Sequence, residues 1–168
     1  MFDTMLENVR RVHPLIHSIT NYVTVNDCAN ILLACGALPI MADEPAEAEE
    51  IAALCRGLCV NIGTLNSRTI PAMLAAGRKA NELGHPAVLD PVGAGASALR
   101  TNTALELLRQ VHFAVIRGNM SEVRTLAKGS GTTKGVDADA AARVTEQPLP
   151  AAVSFARAFA KHTGCVAA

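Results

Sequence analysis

Asp90 closes a short apolar run and opens DPVGAGAS, a carboxylate followed by two glycines among small residues. Glycine lets the backbone take up positive φ and lets a ligand approach amide groups, while an acidic side chain beside such a loop can hold a cation. The combination suits phosphate chemistry, and it also serves a strand that turns tightly into a helix. Further along, IRGNMSE sets Arg117 at the end of another apolar run and Glu122 about one turn into the following helix. Glu122 is placed either to join Asp90 around a Mg²⁺, mostly through water because Mg²⁺ keeps much of its hydration, or to complete a capping box with Asn119. The forked guanidinium of Arg117 suits phosphate oxygens and, equally, a local carboxylate or solvent.

Other polar residues also fall just after apolar runs: Asn21 in HSITNYV, and Gly63 and Thr64 in NIGTL, with Met41 closing a run of its own. Asn21 can donate to and accept from a bound ligand, or form a turn. Met41 reads either as a ligand contact or as filler for a core gap. The five cysteines, Cys28, Cys35, Cys55, Cys59 and Cys165, form no CxxC pair, so they are expected to be reduced and mostly buried. His13, His17, His85, His112 and His162 have no ligand-spaced partner, and none is assigned to catalysis.

These residues need a scaffold that brings strand ends together. Short apolar runs at Leu15–Ile19, Ala37–Met41, Leu58–Ile62, Ala87–Asp90 and Phe113–Ile116 read as strands. They alternate with helical periodicity over Thr24–Ala34, Ala46–Leu54, Ile70–Leu83 and Thr103–Arg109, a pattern that predicts an α/β fold with a largely parallel sheet. Helical alternation of charged and apolar residues marks the start of the chain, and a further helix is expected to begin after Asn119. GSGTTKGVDADAA reads as a connecting loop before a helix over Pro150–His162, and Cys165–Ala168 reads as the opening of another strand. In a parallel sheet of this kind ligands gather at the carboxyl ends of the strands, where the residues above fall.

Half of the 168 residues are hydrophobic, enough for one domain with a sizeable core. Fifteen basic and fifteen acidic residues cancel and are scattered rather than blocked, which argues against nucleic acid or an anionic membrane as partner. No apolar run approaches the roughly 18 residues of a membrane span, and the start lacks a secretory pattern. A cytoplasmic protein with a small-molecule partner is expected.

HSITNYV, MADEPAEAEE, VNIGTLN, LDPVGAGAS and VIRGNMSEV, in this order, resemble hydroxyethylthiazole kinase, of the ribokinase-like superfamily. The resemblance runs from about His13 to Val166 and implies an α/β fold with helices flanking the sheet. It implies transfer of the γ-phosphoryl group of ATP to the hydroxyl of 4-methyl-5-(2-hydroxyethyl)thiazole, a Mg²⁺ requirement, and a homotrimer with active sites between subunits. By the same resemblance Asn21, Met41, Gly63 and Thr64 bind the thiazole, Asp90 and Glu122 lie on the metal side, and Arg117 and Asn119 lie by the ATP phosphates.

Members of that family carry, beyond the strand that begins at Val166, a Thr-Gly segment on ATP and a Gly-Ala-Gly-Cys loop with the catalytic cysteine over an anion hole. GAGAS at Gly93–Ser97 belongs to the earlier element and has alanine in the cysteine's place. No catalytic residue is therefore assigned, and the chain is expected to be the N-terminal part of one kinase domain without appreciable turnover. Two other readings stay open: a kinase of the same superfamily for another small alcohol, and a non-catalytic thiazole or nucleotide binder.

Overall fold

Periodicity changes along the chain as the sequence predicts, from short apolar runs to helical stretches, and each run becomes a strand with parallel partners. The structure, a computed structural model, describes residues 2–129 and 149–168. Most of the expected connecting loop, from Ser130, lies outside the described residues. Contacts divide the chain into two compact units, one of residues up to Val60 with Thr64–Ala87, the other of Asn61–Gly63 with Val88–Ala168.

The first unit holds α1 (Phe2–Val12), β1 (Leu15–Ile19), α2 (Val25–Cys35), β2 (Leu38–Ile40), α3 (Ala48–Leu54), β3 (Gly57–Asn61) and α4 (Thr69–Glu82). Its strands run parallel in the order β2-β1-β3, with Leu15 opposite Leu38, His17 opposite Ile40, and Ile16 to Ile19 opposite Gly57 to Val60. Parallel neighbours need a crossover, and the helices between the strands supply it. Ala48 and Ala52 of α3 and Ala72, Ala76 and Ala80 of α4 are buried. Their spacing keeps small residues on one face of each helix, so α3 and α4 pack closely. β2 is shorter than the predicted Ala37–Met41, because pairing with β1 ends at Ile40.

The second unit holds β4 (Ala87–Asp90), α5 (Ala98–Gln110), β5 (Val115–Ile116), α6 (Met120–Lys128), α7 (Leu149–Thr163) and β6 (Val166–Ala167). Val88 and Leu89 pair with Val115 and Ile116, which pair in turn with Val166 and Ala167, all parallel. Leu89, Leu107, Phe113 and Ile116 form its core. Helix α5 starts five residues before the predicted Thr103, since the Ser97 hydroxyl caps it by accepting from the Arg100 amide at 3.3 Å. Phe113, read as a strand residue, fills the core ahead of β5 instead. Among the described residues no helix is long and apolar enough to cross a membrane.

Candidate functional site

In the second unit the end of β4 becomes a polar junction. Asn61 donates through Nδ2 to Asp90 Oδ2 at 2.8 Å, and the Arg117 guanidinium, from just beyond β5, meets the same oxygen. The Asp90 side chain is only 14% exposed, whereas that of Arg117 is 68% exposed, so the carboxylate is held from within and the guanidinium stands at the surface. Asn61 also accepts the Gly63 amide on Oδ1 at 2.9 Å, and Arg100 Nη2 donates to the Gly63 carbonyl at 2.9 Å. Side chains thus fix both polar backbone groups of Gly63 where the chain leaves β3.

Glu122, on the first turn of α6, completes the capping box expected with Asn119. Its Oε2 accepts the Asn119 amide at 2.9 Å, while Asn119 Oδ1 accepts the amides of Ser121 and Glu122, each at 3.0 Å. The other oxygen, Oε1, accepts the Gly93 amide at 2.8 Å and ties α6 to the DPVGAGAS loop. Burial pushes the Glu122 carboxyl above its ordinary value and the Asp90 charge adds to that push, while the Gly93 and Asn119 amides and Arg117 pull it back. Two carboxylates close enough to repel form the kind of donor set a cation relieves. Both sequence readings of Glu122 are therefore compatible with this geometry: it is a cap, and it shares a field with Asp90.

Gly93 sits at φ 73°, and a Cβ there would lie 2.2 Å from Arg100 Nη1. Left-handed backbone costs a residue with a Cβ about 1–2 kcal/mol, and Arg100 would have to leave the carbonyls of Val92 and Gly63 that it now holds. Gly93→Ala is expected to lower stability by at least about 1 kcal/mol, measured by urea unfolding, with no such loss for Ala96→Ser on the same loop.

The first unit carries a separate hollow of about 160 Å³ lined by Ser18, Thr20, Tyr22, Val25, Met41 and Asp43. Tyr22 donates its hydroxyl to Asp43 Oδ2 at 3.2 Å and its amide to Thr64 Oγ1 at 3.0 Å, which ties Thr64 to the hollow's rim. Asn21 has its Oδ1 on the amides of Val23 and Thr24, at 3.0 and 3.1 Å, and so forms the turn that leads into α2. Met41 faces the hollow. Gly63, grouped with Thr64 in the sequence, belongs to the Asp90 cluster of the second unit. Asn61, Arg100, Tyr22 and Asp43 are not among the residues that the sequence singles out. Asn61 and Asp43 carry the same signal as Asp90, a polar residue at or just past the end of an apolar run, while Arg100 gives no local sign.

His17, in the middle of β1, is fully buried, and its Nε2 donates to the Ala42 carbonyl at 2.7 Å. Burial holds its pKa below the ordinary 6.5, against the raising effects of the Ala42 bond and the Glu47 charge. The unfolded chain then takes up this proton at higher pH than the folded one, so stability is full above 6.5 and declines as pH falls through the lowered value. Unfolding free energies measured between about pH 5 and 7.5 are expected to show that acid-side loss, and His17→Gln to lack it.

Among the described residues no three His, Cys, Asp or Glu side chains gather as a metal cage. The five cysteines are reduced, but only Cys55 is buried and the other four are partly exposed, short of the expected burial.

Comparison with known proteins places this geometry in context. The model of the hydroxyethylthiazole kinase family matches residues 6–168. A hydroxyethylthiazole kinase of Clostridium acetobutylicum is 62% identical over 168 residues, spanning 100% of this chain and 62% of that protein. Another, from Desulfovibrio desulfuricans, is 55% identical over 166 residues, 99% of this chain and 58% of its own length. A solved structure of a hydroxyethylthiazole kinase protein from Pyrococcus horikoshii OT3 superposes with a TM-score of 0.83 at 37% identity, covering 98% of this chain and 58% of that one. The chain thus spans about three fifths of the length of these relatives.

Proposed function

We propose, since the chain belongs to the hydroxyethylthiazole kinase family, that its residues serve transfer of the γ-phosphoryl group of ATP to the hydroxyl of 4-methyl-5-(2-hydroxyethyl)thiazole, as the N-terminal part of one kinase domain. The observation that carries this reading is the junction at the end of β4, where Asp90 is bonded to Asn61 and Arg117, and Glu122 feels the charges of both Asp90 and Arg117. Phosphoryl transfer needs positioned reactants and neutralised phosphate charge more than covalent chemistry from the protein. Arg117 presents a planar fork that matches phosphate oxygens, and Asn119, two residues on, caps α6 with its side chain and so fixes the loop that carries Arg117.

Mg²⁺ fits the donor set. The ion is commonly held by one or two carboxylates together with substrate phosphates rather than by an all-protein cage, so a pair without a third ligand is sufficient. Asp90 and Glu122 would hold it, mainly through water, because both oxygens of Glu122 already accept amide hydrogens. When bound, the ion neutralises charge on the phosphates.

The hollow beside Met41 and Tyr22 is the acceptor side. Its volume suits one small substituted ring, and its mixed lining pairs an apolar floor at Val25 and Met41 with hydroxyls at Ser18 and Thr20. Asn21 and Thr64 shape it through the turn and the Tyr22 amide rather than through a row of free donors.

Self-association as a homotrimer is part of the same proposal. Among the described residues helix α2 has none that is fully buried, and Ile31 and Leu33 are 62% and 52% exposed. A helix this apolar is covered in the assembled protein by another copy. Ile31→Glu is expected to shift the protein from trimer to monomer in sedimentation equilibrium, and an unchanged mass would remove α2 from the interface. Free thiols fit a reducing, cytoplasmic setting.

The direct test is ATP-dependent formation of thiazole phosphate by the protein as its source organism makes it, beside calorimetry of the thiazole alcohol on this chain. Product formation with a preference for the thiazole over other small alcohols supports the reading. No product and no binding would defeat it.

A further inference from the structure

We infer that His17 is a positioning residue for the acceptor hollow: through the Ala42 carbonyl it holds the segment that carries Met41 and Asp43. This inference deepens the acceptor-side reading above and rests on it for the identity of the ligand. Strand pairing alone cannot fix that segment. The β1–β2 ladder ends with His17 opposite Ile40, and residues 41–44 form no regular structure. The first residue past the ladder is Met41, so the wall of the hollow begins where backbone pairing stops. The His17 side chain takes over at that point, reaching two residues beyond its own strand partner to the Ala42 carbonyl at 2.7 Å.

Two side-chain bonds therefore bracket the wall. At the outer end Tyr22 donates to Asp43, but Tyr22 is 59% exposed and water competes for that contact. At the inner end the His17 bond is sealed from solvent, where a hydrogen bond is both stronger and more demanding of geometry. Side chains alternate along a strand. Ser18 lines the hollow, so His17 lies on the opposite face and acts on the ligand only through the backbone of Ala42.

The chemistry of the ring supports a dedicated role. A carbonyl only accepts, so Nε2 carries the hydrogen, and Nδ1 has no hydrogen-bond partner among the described residues. A buried nitrogen without a partner is costly, and an apolar side chain of similar size would avoid that cost. What the imidazole supplies in return is the single bond to Ala42. Glutamine can place an N–H close to where Nε2 stands, whereas methionine fills the space without a donor.

The experiment compares native protein, His17→Gln and His17→Met by NMR of the Met41 methyl and the Ala42 and Asp43 amides, and by calorimetry with the thiazole alcohol and with Mg-ATP. Expected for His17→Met are displaced Met41 and Asp43 signals and thiazole affinity lowered about tenfold, the worth of one sealed hydrogen bond, with Mg-ATP affinity unchanged. His17→Gln should restore both signals and affinity. Unmoved Met41 and Asp43 signals in His17→Met, or equal losses in both variants that track stability, would overturn the inference. If native protein fails to bind the thiazole, the substrate reading falls while the signals still decide the role of His17. Should His17→Met fail to fold, the ring nitrogen shifts of the native protein decide: hydrogen on Nε2 supports the inference and hydrogen on Nδ1 overturns it.

Discussion

In the protein as its source organism makes it, Asp90→Asn is expected to cut turnover by about 10²-fold or more and to leave the thermal midpoint within about 2 °C of native. The two halves of that expectation have separate causes. Asparagine keeps an acceptor oxygen for Asn61 Nδ2, which now donates to the carboxylate at 2.8 Å. The bond to Arg117 loses its charge assistance, but the guanidinium is largely exposed, and pairs of that kind are worth at most about 1 kcal/mol. The fold therefore loses little. What disappears is one of two negative charges that share a field at the end of β4, and with it half of the donor set proposed for Mg²⁺. Steady-state kinetics over a Mg²⁺ titration should show the metal requirement moving to higher concentration. Turnover within about threefold of native would take Asp90 off the metal side, since loss of one transition-state electrostatic contact usually costs far more.

What could be read from sequence follows the range of the interactions concerned. The capping box of Asn119 and Glu122 spans three residues, so residue type and spacing declare it before any fold is known. The strands announce themselves as short apolar runs because parallel strands are covered on both faces. Long-range partners leave no comparable trace. Asn61 meets Asp90 across 29 positions and Arg100 meets Gly63 across 37, distances over which nothing local specifies a pairing. The same reason separates Gly63 from Thr64: neighbours in NIGTL, they belong to different units, Gly63 held by Asn61 and Arg100 and Thr64 by the Tyr22 amide. His17 has no ligand-spaced partner in the sequence, and only the position of Ala42 past the end of β2 gives its ring one.

Glu122→Gln should differ from Asp90→Asn in costing both stability and turnover. Each carboxylate oxygen of Glu122 now accepts one backbone amide, from Gly93 at 2.8 Å and from Asn119 at 2.9 Å. Glutamine offers one oxygen and one NH₂, so one of those amides would face a donor instead of an acceptor in a site that is only 5% exposed. Leaving a buried amide unpaired costs about 1–3 kcal/mol, and each kcal/mol lowers the midpoint of a domain this size by about 2–4 °C. The amide that gives way decides the damage: Asn119 frays the start of α6, whereas Gly93 releases the loop behind Asp90. Stability alone does not separate a cap from a metal-side carboxylate, because both readings predict this loss. Turnover of the protein as its source organism makes it, measured well below the midpoint, separates them. If activity recovers fully once the variant is folded, Glu122 acts as a cap alone. A persistent loss of about tenfold or more, partly relieved by added Mg²⁺, assigns it to the metal as well, since the missing charge and not the missing fold then limits the reaction.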